Sequence, residues 1–592
     1  MSQSSTIVEA QVLLLAQDRV LEPVKDQSSA FEGPSLPSLL DIHLGKLLEE
    51  QSLKYSEKKA VISPWQQSSL TFKTLYNSTR DIAHRLLAYG VRPKDRVVVL
   101  AGNTLEYTEL FFAVGGIGAI FSIINPTFTA DEVANAVQFL DPAAIFIADR
   151  IGYRNNKALL NILSKERENQ PLVVQMGTAA KFNGNVATWK EFLYGASNSA
   201  IEPDLLQRYW GQGDADDGLC IQFTSGTTGP RKAALVTHRN LLNNALLVGA
   251  RLSFTSDDTV LCCSPIFHCF GLVCGVLTAI VYGGSVVLPS DVFIAESSIR
   301  ALAEQKCTVV HAVPTMFQAM LDHPQVRKYS PEFCLRTGII AGSSLSRTLL
   351  SRLDIEFKLN GLAYGFGMTE CSCIHFMTDP SETSLLSDHI SVGTVMPHTA
   401  AKVVDSELRD LPPGSSGELL ISGYLVFKEY FKNPEKTAES FHKDSEGRVW
   451  LRTGDLVTLS TTGRCTVIGR VKDMIKRGGE NIFPSDIEKL LESDPSIAAA
   501  AVVGIPDPDW GEVVGAFVKS IPGVKSDFEV RRKRIKLQLR TQIAPHKIPE
   551  HFFWIGEQEG VPGEIPINAT GKIVKKDLRD IASHLLRKSS GS

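Results

Sequence analysis

The stretch Thr224-Ser225-Gly226-Thr227-Thr228-Gly229-Pro230-Arg231-Lys232 gathers four hydroxyls, two glycines and a lysine. Without a Cβ, glycine lets backbone N–H groups turn toward an anion, the Ser and Thr hydroxyls add donors, and Lys232 adds a mobile positive charge. A polyphosphate suits such a cradle. It is not a Walker A loop, because Ala233 follows Lys232 where that motif requires Ser or Thr. A polar turn without a ligand can share this composition, so the reading gains its force from the segments downstream. To hold the loop, Leu219-Cys220-Ile221-Gln222-Phe223 reads as a buried strand and Asn240-Leu241-Leu242-Asn243-Asn244-Ala245 opens a helix, which sets the cradle between packed elements.

A chain of 592 residues, 43% hydrophobic and 21% charged, has room for about 3 to 4 domain-sized units. The net charge of -4 argues against nucleic-acid binding. Ten scattered cysteines lack CxxC or Cys/His spacing, which reads as reduced thiols rather than zinc ligands or a disulfide framework. Val12-Leu13-Leu14-Leu15 lacks the basic leader of a signal peptide, and Ser589-Ser590-Gly591-Ser592 is not a peroxisomal tripeptide. The expected location is cytoplasmic, with a peroxisome reached by some other signal as the alternative. Two apolar stretches, Leu110 to Ile124 and Phe270 to Leu288, are broken by glycines and read as buried helix, turn and strand rather than membrane spans.

Residues 1–39 lack sustained periodicity and read as a flexible lead-in. From Leu40 to Leu288 helical patterns alternate with Val/Ile-rich runs such as Arg96-Val97-Val98-Val99-Leu100 and Ala144-Ile145-Phe146-Ile147-Ala148, the signature of parallel sheets covered by helices. Thr308 to Pro314 supplies another buried strand, and beyond Asp379 turns and short strands predict a β-rich subdomain over about 380–470. A small α+β unit follows, with helices near Pro484 to Glu492 and Glu529 to Gln542 and a strand at Ala498 to Val503. The basic run Arg531-Arg532-Lys533-Arg534, with Lys536 and Arg540, is expected to be a solvated helix face; attraction of CoA phosphates and membrane contact are the sharper readings.

Six further segments accompany the phosphate cradle, among them Gly365-Phe366-Gly367-Met368-Thr369-Glu370, Thr453-Gly454-Asp455, Ile468-Gly469-Arg470-Val471-Lys472-Asp473 and Pro566-Ile567-Asn568-Ala569-Thr570-Gly571-Lys572. On these the chain resembles the adenylate-forming enzymes, a superfamily of acyl-CoA synthetases, aryl-CoA ligases and beetle luciferases, and most of all stand-alone fungal acyl-CoA ligases. The resemblance runs from about Leu40 to Leu578. It implies an α/β fold with a large N-terminal AMP-binding domain over 40–472, made of two βαβ parallel-sheet subdomains and the β-rich one, and a small mobile C-terminal domain over 473–592 hinged at Asp473.

The resemblance also implies roles. Thr224, Ser225, Gly226, Thr227, Thr228, Gly229 and Lys232 would bind the β and γ phosphates of ATP; Arg231 and Ala233 depart from the usual Pro and Gly. Phe366, in place of the common Tyr, would stack on adenine between Gly365 and Gly367, Thr369 would meet the α-phosphate, and Glu370 would hold Mg²⁺, as a hard carboxylate suits a hard cation. Asp455 would accept from both ribose hydroxyls and Arg470 would contact ribose and phosphate. In Met474-Ile475-Lys476-Arg477-Gly478-Gly479-Glu480, Lys476 would contact the bound ligand and Gly479 would lie along a pantetheine tunnel for coenzyme A. Lys572 would be the catalytic lysine of adenylation, with Asn568 where Thr is usual.

Ser264-Pro265-Ile266-Phe267-His268 resembles the segment lining the acyl pocket, where His268 would sit by the reacting carboxylate. Amino-acid-activating relatives carry an Asp there to hold a buried ammonium, so His268 disfavours amino-acid substrates. Phe270, Cys274, Ala341, Gly342 and Gly365 would complete an apolar wall for an aliphatic or aryl acid; for Cys274, plain core packing is an equal reading. The expected reaction is ATP-dependent formation of an acyl-adenylate followed by a thioester with CoA. Loading of a separate carrier protein or synthase, luciferase-type oxygenation and a non-catalytic ATP-binding regulator are the alternatives.

Overall fold

The computed structural model describes residues 30–164, 171–177, 181–182, 185–195, 204–224, 232–342, 345, 347–359, 361–382, 391–521, 523, 527–567 and 573–590. Two large sheets form the bulk of the chain. The first runs Ala187–Thr188, Leu172–Met176, Ala144–Ala148, Arg96–Leu100, Ile120–Ile123 and Gly218–Thr224 in parallel, then adds Lys232–Thr237 and Glu429–Tyr430 antiparallel. The second has Leu362–Phe366, Thr337–Ala341, Val309–Ala312, Thr259–Cys262, Ser285–Val287 and Lys59–Ser63 in parallel, with antiparallel strands at both edges. Strands such as Ala144–Ala148 and Thr337–Ala341 are buried along their whole length, because helices cover both faces.

A third, wholly antiparallel sheet contains Thr399–Val404, Ser416–Gly423, Val449–Leu459 and Cys465–Arg470. Its edge is Phe31–Glu32, paired with Ala400 and Ala401. The lead-in expected over 1–39 is therefore corrected at its far end. Phe31 is fully buried, and the Leu40 N–H donates to Asn243 Oδ1 at 2.6 Å, so apolar burial and one buried amide pin this segment down.

The small unit packs Ile475–Arg477, Glu480–Ile482, Ile497–Asp507, Gly511–Ser520 and His551–Trp554 in one sheet, with helices Pro484–Glu492, Phe528–Arg540 and Lys575–Ser590 beside it. Its two buried apolar clusters, around Val502 and Phe517, draw only on residues from Ile475 onward. The clusters of the larger part end at Cys465. Among the described residues no apolar core crosses from one to the other.

Both apolar stretches weighed as membrane spans resolve into short elements: Leu105–Gly116 then Ile120–Ile123, and Phe270–Leu277, Thr278–Tyr282 and Ser285–Val287. No helix among the described residues is long and apolar enough to cross a membrane.

Among the described residues four buried histidines, His43, His238, His311 and His375, set a pH limit on this core, and burial holds His238 well below its ordinary value. Burial holds His43 down at about 4 and His311 and His375 at about 3, each below the ordinary value. A histidine whose folded pKa is depressed binds its proton more readily when unfolded, so stability is full above pH 6.5 and falls as pH drops toward those values. By pH 5 the loss is about 2 kcal/mol for each ring. Urea midpoints measured at pH 7.5 and about pH 5 should shift downward accordingly, and His375→Phe should reduce that shift.

Candidate active-site cleft

A cavity of about 2140 Å³ lies between the two large sheets, the antiparallel sheet and the small unit. Strand ends and a turn deliver the cradle flanks and the Gly365–Glu370 segment to its wall. Thr224 and Lys232 face each other at the loop end of the Gly218–Thr224/Lys232–Thr237 hairpin, and the Thr224 hydroxyl donates to the Lys232 carbonyl at 3.4 Å. Both line the cleft. Thr237 caps the next helix, His238–Arg251, by a reciprocal pair of hydrogen bonds with Asn240, which fixes the angle at which the hairpin returns. Ser225, Gly226, Thr227, Thr228 and Gly229 lie outside the described residues.

The second sheet delivers Gly365 and Phe366 at the end of strand Leu362–Phe366, followed by Gly367, Met368 and the turn Thr369–Cys371. All line the cleft except Cys371. Phe366 meets the buried His375 edge to face, with centroids 4.7 Å apart, which fixes one ring edge and leaves a face for stacking. A Cβ at Gly367 would come within 1.5 Å of the Cys373 carbonyl oxygen, so only glycine permits this turn.

Glu370 is buried, and its Oε1 accepts a 2.8 Å hydrogen bond from the Tyr430 hydroxyl. Lys232 Nζ sits 4.6 Å from the centroid of the same Tyr430 ring. Burial and the neighbouring carboxylate both push the phenol upward, keeping Tyr430 a donor. Tyr430 thus ties the cradle lysine to the carboxylate, a role nothing in its local sequence announces. Tyr430→Phe removes a hydrogen bond to a charged group and is expected to lower adenylation roughly tenfold, with fold retained. Pyrophosphate exchange beside a thermal melt checks this; unchanged exchange would remove Tyr430 from the site.

From the antiparallel sheet come Asp455 and Arg470, directly opposite each other in the ladder and ion-paired at 2.8 Å. Asp455 raises the Arg470 guanidinium further, while burial and then Arg470 lower the Lys472 ammonium. Lys472 and Asp473 follow in the Val471–Asp473 turn that leads into the small unit, and both line the cleft. Arg579, on the last helix, meets Asp473 at 3.5 Å.

His268, Phe270, Ala341, Gly342 and Gly365 line the apolar end. The Phe270 N–H donates to His268 Nδ1 at 3.3 Å, which leaves the ring proton on Nε2. Asn103, fully buried, clamps the segment before it: its amide donates to the Ser264 carbonyl at 3.0 Å and accepts from the Ile266 N–H at 2.9 Å. Sequence reasoning passed over Asn103 as well. Residues Phe270–Leu277 then wind as a π-helix; a Cβ at Gly271 would lie 2.3 Å from the Pro265 carbonyl oxygen, so glycine lets this turn press onto the clamped segment.

Three expected residues lie elsewhere. Cys274 does not reach the cleft wall: it is fully buried behind it, its sulfur 3.6 Å from that of Cys373, so packing claims it. Lys476 and Gly479 stand on an exposed hairpin of the small unit, away from the cleft. Lys572 lies outside the described residues. Its flanking residues Ile567 and Ile573 pair in an antiparallel bridge and both line the cleft.

Chemically, cations from Lys232, Arg470 and Lys472 share one cleft with the carboxylates of Glu370 and Asp455, a donor set that fits a nucleoside triphosphate with a hard divalent cation. Cys269 borders the cleft, but a hydrogen bond with Cys373 and burial keep its thiol protonated, which removes it as a nucleophile.

Comparison with known proteins agrees with this geometry. The family described as AMP-binding enzyme matches residues 48–431, and the one described as AMP-binding enzyme C-terminal domain matches 486–572. The chain is 39% identical to acyl-CoA ligase sidI of Aspergillus fumigatus, covering 95% of this chain and 94% of that one. It is 31% identical to the mitochondrial medium-chain acyl-CoA ligase ACSF2 of Danio rerio, over 93% and 90%. Among solved structures, ATP-bound MatB from Rhodopseudomonas palustris superposes with a TM-score of 0.77 at 24% identity, covering 92% of this chain and all of that one. The anthranilate CoA ligase AuaEII with anthranoyl-AMP gives 0.77 at 23%, covering 93% and 99%; at these identities the likeness speaks for the fold.

Proposed function

The chain belongs to the AMP-binding enzyme family, and from that premise we propose that it is an AMP-forming acyl-CoA ligase, an acid–thiol ligase that uses ATP, Mg²⁺ and coenzyme A. The observation that carries the reading is the convergence of Glu370–Tyr430–Lys232 and Asp455–Arg470 on one cleft whose far end is apolar.

The acid enters the wall formed by Phe270, Ala341, Gly342 and Gly365, with its carboxylate beside His268. The nucleotide base lies on Phe366, its ribose on Asp455 and Arg470, its α-phosphate near Thr369, and its outer phosphates on the 224–232 cradle. A carboxylate oxygen bonds to the α-phosphorus as the bond to the bridging oxygen breaks, releasing pyrophosphate and leaving acyl-AMP. Glu370 would hold Mg²⁺, which when bound neutralises charge on the phosphate oxygens. The CoA thiol gives up its proton to solvent as its sulfur bonds to the acyl carbon, and AMP departs with the C–O electron pair. Lys572 serves the first step and Gly479 the second, with the small unit turning about Asp473 between them.

An apolar wall with His268 in place of an acid favours an aliphatic or aryl carboxylate without an α-ammonium. CoA is favoured over a carrier protein because the relatives above are named acyl-CoA ligases. A cytoplasmic location fits ten cysteines of which none is joined in a disulfide. The test is product analysis with the purified chain, ATP, Mg²⁺ and a panel of short, medium, long and aromatic acids. Acid-dependent AMP and pyrophosphate are expected, then thioester once CoA is added. Release of ADP alone, or thioester only on a carrier protein, would refute the assignment.

A further inference from the structure

The Phe528–Arg540 helix buries one face and leaves an unusual one outward. Arg531, Ile535 and Leu539 pack into the small unit. On the opposite side Val530 and Leu537, two turns apart, are 60% and 65% exposed. Lys533, Arg534 and Arg540 are exposed on the same side, between and beside the two aliphatics. Glu529 is the single acid of the helix and is engaged by Arg532 at 2.5 Å. Arg534 shares its charge with Asp494 at 2.8 Å, whereas among the described residues no acid pairs with Lys533 or Arg540. The chain as a whole carries 65 acidic and 61 basic residues, so this stripe runs against its overall sign.

Single exposed aliphatics occur elsewhere, such as Leu53 at 79% and Ile355 at 72%, but here two share one helix side with cations unpaired among the described residues, and coenzyme A phosphates would need only the cations. None of these residues lines the cleft. The combination of a flat stripe about 20 Å long, aliphatic knobs and flanking cations matches a surface that is apolar beneath and negatively charged above. We propose that this face docks the protein on anionic phospholipid bilayers, the helix lying in the plane of the membrane. Val530 and Leu537 enter the headgroup boundary, and Lys533, Arg534 and Arg540 meet lipid phosphates and carboxylates. Two small knobs and three cations give reversible attachment, sensitive to salt. This does not depend on which reaction the cleft performs.

The test is co-sedimentation of the full chain with vesicles of phosphatidylcholine alone and of phosphatidylcholine with phosphatidylserine. Binding is expected only to the second, weakened by added salt. Leu537→Asp and the double variant Lys533→Glu/Arg540→Glu should each lower the partition coefficient roughly tenfold or more, while the melting temperature and AMP formation stay unchanged. No binding to the serine-lipid vesicles, or equal binding by folded variants, overturns the proposal. It is equally overturned if the variants lose binding to an acidic carrier protein while the wild type ignores vesicles, since the face would then be a protein dock.

Discussion

Lys572→Ala is expected to lower acid-dependent pyrophosphate exchange roughly 100- to 1000-fold while sparing thioester formation from preformed acyl-AMP. During adenylation negative charge builds on the attacking carboxylate oxygen and on the bridging oxygen that leaves with pyrophosphate. An ammonium between them stabilises both. The described flanks support such a position: Ile567 and Ile573 pair and line the cleft, the Val574 N–H donates to the Pro566 carbonyl at 2.9 Å, and Lys575 is held by Glu488 at 2.8 Å. The described residues nearest the lysine on either side thus line the cleft. Single-turnover assays of each half-reaction check the split, and a variant with full exchange would remove Lys572 from catalysis.

Gly479→Leu is expected to do the reverse, leaving adenylation within about twofold and slowing thioester formation roughly 100-fold. Gly479 has φ +87°, in the hairpin between Ile475–Arg477 and Glu480–Ile482, with nothing within 4 Å of where a Cβ would stand. A leucine is accommodated in the present arrangement apart from backbone strain of about 1–2 kcal/mol. Alanine carries the same strain without the bulk. Gly479→Ala retaining thioester formation while Gly479→Leu loses it would isolate volume in a narrow channel as the cause; equal loss of both half-reactions in the leucine variant would refute the channel.

Much of the fold was legible because its signal is local. Arg96–Leu100, Ala144–Ala148 and the Pro484–Glu492 helix stand where periodicity and flanking residues put them. The edge strand Phe31–Glu32 was not, because two residues carry no period and its stability comes from Thr399–Val404, far along the chain. In the site, the cleft-lining residues proposed to meet the nucleotide were legible as motifs because such roles need a particular group at a particular spacing. Tyr430 and Asn103 were not. Each acts on a residue distant in sequence, Glu370 and the Ser264–Ile266 segment, and a tyrosine in a short strand or an asparagine before a helix has many ordinary uses. For Cys274, which the resemblance aligned with the wall and core packing claimed equally, the π-helical stretch sets its sulfur against that of Cys373.

The division of the apolar clusters at Cys465 and Ile475 has a calorimetric consequence. What ties the small unit to the rest includes polar contacts such as Ser485 to the Ile468 carbonyl and Arg579 to Asp473, which water can replace at little free-energy cost. Heating should therefore melt the chain in two separate endotherms, and a tight bisubstrate mimic spanning the cleft should draw them together by raising the lower one.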